Sequence, residues 1–366
     1  MHLARGLAQG TSSVFLGTVE LTVVTPISAN GMNDRALPFK VVRQPNLTTL
    51  VRLLHRADVI HLAGPVFIPM ILGSLLRKPV VIEHHGFQAI CPNGQLLFEP
   101  TQEPCPSHFM AGRYSECIRC NSARGQLRSM KMWLLTFPRR WLCQHVAANI
   151  LPTNWLGTLL QLNRMETIVH GIPPLETAAA RGVSPSVPIF AFLGRLVSTK
   201  GVRVLLEAAQ KLKAKGLAFR VKIIGQGPDR PALEKLARDL QVGDCVQFLG
   251  YIPVEQLDRS LADATAIVIP SLAGEVFGLV AAEEMQREKL VIVSDIGALA
   301  EVVGDSGLKF PPGDADALAR CMESAITDPS LAERLGRQAS HRIAQSFTVD
   351  RMANEHRRVY EELYRC

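Results

Sequence analysis

From about residue 187 onward, short apolar runs alternate with longer segments whose apolar residues recur at helical spacing. "VPIFAFLG" (187–194) is a continuous apolar run ending in glycine, the pattern of a buried strand. "KGVRVLLEAAQKLKAKG" follows with a helical apolar stripe and a glycine stop at Gly216. Next, "FRVKIIGQGP" predicts strand and turn, "DRPALEKLARDL" helix, "VQFLGYI" strand, "PVEQLDRSLADA" helix and "TAIVIPS" strand. "LVIVSDIG" and "GLKF" supply two further strands. Strands alternating with helices in this way imply a parallel sheet covered on both faces, so this half predicts a Rossmann-like domain.

The first half is less regular but similar in kind. "VELTVVTP", "DVIHLAGP" and "PVVIEHHG" read as strands and "LTTLVRLLHRA" as a helix. A small-residue, proline-containing stretch, "ETAAARGVSPSVP" (176–188), divides the halves as an interdomain linker. "FTVDRMANEHRRVYEELY" closes the chain as an amphipathic helix. The pattern therefore predicts an α/β protein with domains at 1–177 and 178–346 and a terminal helix over 347–366.

Composition adds bounds. The chain has 366 residues, 47% hydrophobic and 20% charged, which suits two globular cores and argues against disorder. The net charge of +7 is uneven: residues 1–180 carry 16 Lys/Arg against 9 Asp/Glu, whereas residues 181–366 carry 24 of each. An acidic partner or an anionic membrane surface would be drawn to the first half. "MHLARGLAQG" lacks the apolar core of a secretory signal. The longest uncharged apolar stretch, 61–76, is too short to span a bilayer and holds two prolines, leaving it buried or resting on a membrane. The expected location is cytoplasmic.

In an open parallel sheet, ligands bind outside the carboxyl ends of the strands. The loop after "FAFLG" puts Arg195 and Lys200 there, two cations suited to a diphosphate, or else an ordinary solvated pair. "GQGP" lets a ligand approach the backbone, or is a plain turn. "SLAGEVFGLVAAEE" (271–284) places Glu275 before a helix and Glu283 in its second turn. Such acids could touch two ends of one extended ligand, with phosphate between them at the helix start. The bland alternative is a pair of exposed helix acids.

Together, "FLGRLVSTKGVRVLLEAA", "VKIIGQGP", "VQFLGYIP", "IVIPSLAGEVFGLVAAEEM" and "GALAEVVGDSGLKFPPGDADALA" occur in an order that resembles the retaining GT-B glycosyltransferases of family 4, the "glycosyl transferases group 1" domain. The resemblance is dense over 186–346 and loose over the first half. It implies two Rossmann-like domains facing each other across a cleft, the first binding the acceptor and the second a nucleotide diphosphate sugar. The terminal helix would return to the first domain. Carried over by motif, Glu275 would hold the donor sugar's hydroxyls, Glu283 the ribose, and Arg195 and Lys200 the diphosphate. Gly194, Phe277, Gly278 and Leu279 would line the donor. His85 matches the histidine that the family places near the donor sugar. The resemblance further implies same-face attack with retention, the departing phosphate taking the acceptor's proton. The acceptor would be a saccharide or a lipid-linked sugar of a cell-surface polysaccharide or glycolipid, and no cofactor would be needed for catalysis.

Cys91, Cys105, Cys117 and Cys120 follow, one pair as CxxC, and could hold a structural zinc or stand as separate thiols. Arg113, Arg119, Arg124, Arg128, Lys131, Arg139 and Arg140 oppose the single acid Glu116, and "MKMWLLTFPRRWLC" interleaves aromatics with them. That composition suits either docking on anionic lipid or a helix packing on the core. No nucleic-acid motif accompanies the charge. Two departures from the family stand out. Its first strand and glycine-rich loop have no counterpart before "HLARGLAQ", which also fits a truncated, catalytically weak nucleotide-sugar-binding protein. After the E-x7-E, Glu288 and Leu290 occupy positions where relatives carry glycine and proline, so that turn is expected to be altered.

Overall fold

A computed structural model describes residues 2–9, 19–28, 33–175 and 187–365. The expected linker, 176–188, falls almost wholly outside the described residues. The chain forms two compact units that are not continuous in sequence. One gathers residues 1–92, 132–174 and 346–366, and the other residues 93–131 and 175–345. Residues 93–131, read from the sequence as part of the first domain, thus group with the second unit.

In the first unit, strands β1 (Thr22–Thr25) and β2 (Lys40–Arg43) pair in parallel. Strands β3 (Ile60–Ala63) and β4 (Val80–Glu83) belong to a separate sheet. The second unit then contributes a short hairpin of β5 (Leu97–Phe98) and β6 (Glu103–Pro104). Returning to the first unit, β7 (Ala148–Leu151) and β8 (Met165–Thr167) complete a parallel sheet of order β3-β4-β7-β8. All four residues of β4 and of β7 are buried, as expected for inner strands covered on both faces. The terminal helix Val349–Arg365 packs on this unit, and Val81, Ala148, Ile150, Ile168, Met352 and Val359 share one core. Buried Arg357 donates from Nη2 to the carbonyls of Gly6 (2.9 Å) and Leu7 (2.7 Å), capping the helix His2–Gln9.

The main sheet of the second unit has six strands: β9 (Ile189–Leu193), β10 (Arg220–Ile224), β11 (Val246–Gly250), β12 (Ala266–Ile269), β13 (Leu290–Ser294) and β14 (Leu308–Phe310). Their order is β11-β10-β9-β12-β13-β14, and each neighbouring pair is parallel. Helices lie between successive strands where the sequence pattern predicts them, including Val202–Ala214, Arg230–Asp239 and Val254–Leu261. The first three strands step outward from β9 and the last three step the other way. The reversal creates a crevice at the carboxyl ends of β9 and β12, the usual ligand position in such sheets.

After the helix Leu279–Gln286 the chain turns at the positions where the family resemblance expects glycine and proline. Glu288 takes a left-handed backbone (φ 59°). Its N–H reaches the Met285 carbonyl at 3.1 Å, and the Lys289 N–H reaches Glu284 at 3.0 Å. These are the paired bonds of a helix end with a left-handed residue after the cap. Glutamate here holds a backbone conformation that suits glycine.

Candidate functional site

The crevice is formed by two loops. Residues 194–201 follow β9, with Gly194 at the strand end, Arg195 exposed and Lys200 half-buried. Residues 270–278 follow β12 and lead into the helix Leu279–Gln286. The loops are joined tightly, because the Leu272 N–H donates to the Thr199 carbonyl at 2.8 Å. At Gly201 (φ 64°), a Cβ would lie 1.9 Å from the Pro270 carbonyl oxygen, so only glycine allows this approach.

Lys200 Nζ donates to Glu275 Oε1, and Ser271 Oγ donates to the same oxygen at 2.9 Å. The family resemblance implies the diphosphate for Lys200 and the sugar for Glu275, and the structure puts the two side chains in direct contact. Ser271 is a further member of the cluster that the sequence reading did not single out, although it stands four residues before Glu275.

Gly278 caps the helix with φ 95°, and a Cβ there would be 2.4 Å from Leu299 Cδ2. Phe277 is buried and braces the loop, while Leu279 is half exposed at the first turn. Glu283 lies on the same helix, and Arg287 donates to its carbonyl at 3.0 Å. Burial pushes the Glu283 carboxyl up, opposed in part by Arg287. The neighbouring Glu284 is buried, its oxygens lack hydrogen-bond partners, and its nearest cation is Arg287 Nη1 at 3.5 Å. Burial first, with Glu283 adding to it, raises Glu284 to about 7. The two adjacent acids thus differ: Glu283 is half-buried and Glu284 buried.

Gln95 brings the cysteine-bearing segment against this site, since a Cβ on Gly274 would be 3.8 Å from the Gln95 carbonyl. Within that segment the Cys105 N–H bonds the Leu96 carbonyl at 2.7 Å. Cys120 Sγ lies 3.4 Å from the Leu97 carbonyl and receives the Glu99 N–H at 3.4 Å. Cys117 and Cys120 are buried on the helix Tyr114–Cys120. Cys91 is also buried and belongs to the first unit.

His85 belongs to the first unit as well, just beyond β4. Its ring stacks on His170 with centroids 5.3 Å apart, and its Nε2 lies 3.7 Å from Glu83 Oε2. Glu83 and His170 are two more residues that the sequence reading passed over. Glu83 stands two positions before His85 at a strand end, and His170 follows β8 at the corresponding end of the same parallel sheet. His84, by contrast, is fully buried, with Nε2 2.8 Å from Asn149 Oδ1, and burial lowers it to about 4.

Residues 176–342 match the family described as Glycosyl transferases group 1. Over 305 residues the chain is 28% identical to the alpha-D-kanosaminyltransferase of Streptomyces kanamyceticus, covering 81% of this chain and 74% of that one. In structure it resembles sucrose-phosphate synthase from Thermosynechococcus elongatus, with a TM-score of 0.72 at 20% identity over 99% of this chain and 92% of that one. It also resembles Anabaena HepE in complex with UDP and glucose, with a TM-score of 0.63 at 17% identity over 89% of this chain and 86% of that one. At such identities the structural likeness speaks for the fold alone. The fold is GT-B, and over residues 176–342 the chain is similar to the glycosyl transferases group 1 family.

Proposed function

We propose that the protein is a retaining glycosyltransferase that moves a sugar from a nucleotide diphosphate donor to a saccharide or lipid-linked acceptor. The observation that carries this reading is the contact of Lys200 with Glu275 at the strand-order reversal, beside exposed Arg195. Arg195 and Lys200 neutralise the diphosphate as the glycosidic bond lengthens, and such preorganised charge is worth most where the reaction creates charge. Glu275 holds the sugar's hydroxyls, and Glu283 receives the ribose. The acceptor oxygen attacks from the face the phosphate leaves, and that phosphate accepts the acceptor's proton. No side chain then need act as general base; for His85 the family resemblance implies a place near the donor sugar.

A lipid-linked acceptor is favoured by the helix Gln126–His145. Leu127, Met130, Leu134, Phe137 and Trp141 are all exposed, at spacings of three and four residues that align them on one face. Arg124, Arg128 and Lys131 are exposed around the N-terminal part of this stripe. An apolar stripe beside cations matches the boundary of an anionic membrane, and no helix among the described residues is long and apolar enough to cross one.

The direct test is calorimetric titration of the purified protein with UDP, GDP and their sugar conjugates. Saturable binding that Glu283→Ala weakens by about tenfold or more, the scale of a lost hydrogen bond to a charged group, is the expected result. A folded protein that binds none of these nucleotides would overturn the proposal.

A further inference from the structure

Glu83 ends β4 and is 5% exposed, yet four imidazoles from separate elements surround its carboxylate. His61 Nε2 on β3 lies 3.1 Å from Oε2, and His85 Nε2 3.7 Å from it. His356 Nε2 on the terminal helix is 3.9 Å from Oε2, and His170 Nδ1 is 3.4 Å from Oε1. The transfer chemistry proposed above uses His85 alone. It leaves His61, Glu83 and His356 without a task.

We propose that His61, Glu83 and His356 form a binding site for one divalent transition-metal ion of the zinc class, through the two Nε2 atoms and a carboxylate oxygen. The three ligand atoms lie within 4.8 Å of one another. Two imidazoles and a carboxylate are a common donor set for such ions.

His356 gives the strongest support. It is 0% exposed, and its Nδ1 lies 2.8 Å from the Met352 carbonyl oxygen. A carbonyl only accepts, so Nδ1 carries the proton, and Nε2 of the neutral ring presents a bare lone pair. That Nε2 is buried without a hydrogen-bond partner. At 3.9 Å it is too far from Glu83 for a hydrogen bond, which needs about 3.2 Å or less. The spacing instead suits two ligands of one ion, each bonded at roughly 2.0–2.2 Å.

The outer shell is also in place. Ligating histidines generally donate their second nitrogen to a fixed acceptor. For His356 this is Met352. His61 Nε2 lies 3.1 Å from Glu83 Oε2 and so carries the proton in the metal-free protein, with Nδ1 accepting from the Tyr360 hydroxyl at 2.6 Å; on binding an ion through Nε2 the ring would take the other tautomer and donate from Nδ1 to that hydroxyl. Both partners sit on the terminal helix. An ion here would bind that helix to β3 and β4, so its role is structural and separate from sugar transfer.

The protein, stripped with chelator and dialysed, would be titrated with Co2+ and Zn2+, following visible absorption and bound metal. One equivalent of Co2+ is expected, giving weak d–d bands without the intense near-ultraviolet band of a thiolate ligand. Tyr360→Phe removes only the outer-shell partner and should weaken binding about 10–100-fold. His356→Gln should abolish it, whereas Cys117→Ser should leave these bands unchanged. Circular dichroism checks the fold of each variant, and Tyr360→Phe carries the test if His356→Gln does not fold. The proposal is overturned if the folded wild type binds neither metal, if Tyr360→Phe and folded His356→Gln titrate like wild type, or if the bound Co2+ shows only thiolate character.

Discussion

Two neighbouring glutamates show how single residues depart from what their surroundings favour. Glu288 occupies a left-handed backbone position that costs a side-chain-bearing residue roughly 1–2 kcal/mol. Glu288→Gly should therefore raise stability, by about 1 kcal/mol or less after the added freedom of glycine in the unfolded chain. Denaturant unfolding at constant m-value would show it, and a lower midpoint would contradict the strain argument. Glu284 carries a different burden. Burial holds its carboxyl at about 7 in the folded state, above the ordinary value of 4.5, so the folded state binds the proton more tightly. Its contribution is fully present below about pH 4.5 and is lost as pH rises to about 7, a cost of up to about 3 kcal/mol. Glu284→Gln, always neutral, should remove that loss. The stability difference between variant and wild type should widen from pH 4.5 to 7 and then level off; a flat difference would show that Glu284 is not held neutral by burial.

At the level of elements, the site depends on how closely two loops approach. Each loop follows a strand that the apolar runs predict well, and the helix beginning at Leu279 starts where its glycine suggests. The strands Lys40–Arg43, Ala148–Leu151 and Met165–Thr167 are harder to see, because they are only three or four residues long. The contact of Gly201 with the Pro270 carbonyl leaves no room for a methyl group. Gly201→Ala must push the loops apart, and about 2–4 kcal/mol of stability should be lost with it. UDP affinity should fall together with stability, since Lys200 and Glu275 lie on opposite sides of this contact. A variant as stable as wild type, with unchanged affinity, would show that the loops adjust freely.

At the scale of the whole molecule, the exposed stripe on the helix Gln126–His145 predicts a partner outside the chain. Leu134→Glu combined with Trp141→Glu should lower partitioning onto vesicles rich in phosphatidylglycerol by more than about tenfold, since two apolar side chains would no longer be buried. Raising salt should weaken wild-type binding, and neutral vesicles should bind it less. Nucleotide affinity of the double variant should stay unchanged. Equal sedimentation of wild type and variant with these vesicles would remove the membrane from the proposal.

Local pattern alone was enough to determine the alternating elements of the second unit, the glycine stops and the loops bearing Arg195, Lys200, Glu275 and Glu283. Burial imposes periodicities of 2.0 and 3.6 that are written into neighbouring residues, and a crevice follows once strand order reverses. The family resemblance supplied the roles that spacing left open. What the tertiary structure decided lies between residues distant in sequence. Residues 93–131 group with the second unit, Lys200 meets Glu275, and Glu83 is ringed by histidines from β3, two loops and the terminal helix. No periodicity reports such encounters, because they are set by the path of the whole chain: His61 and Tyr360 touch across 299 positions.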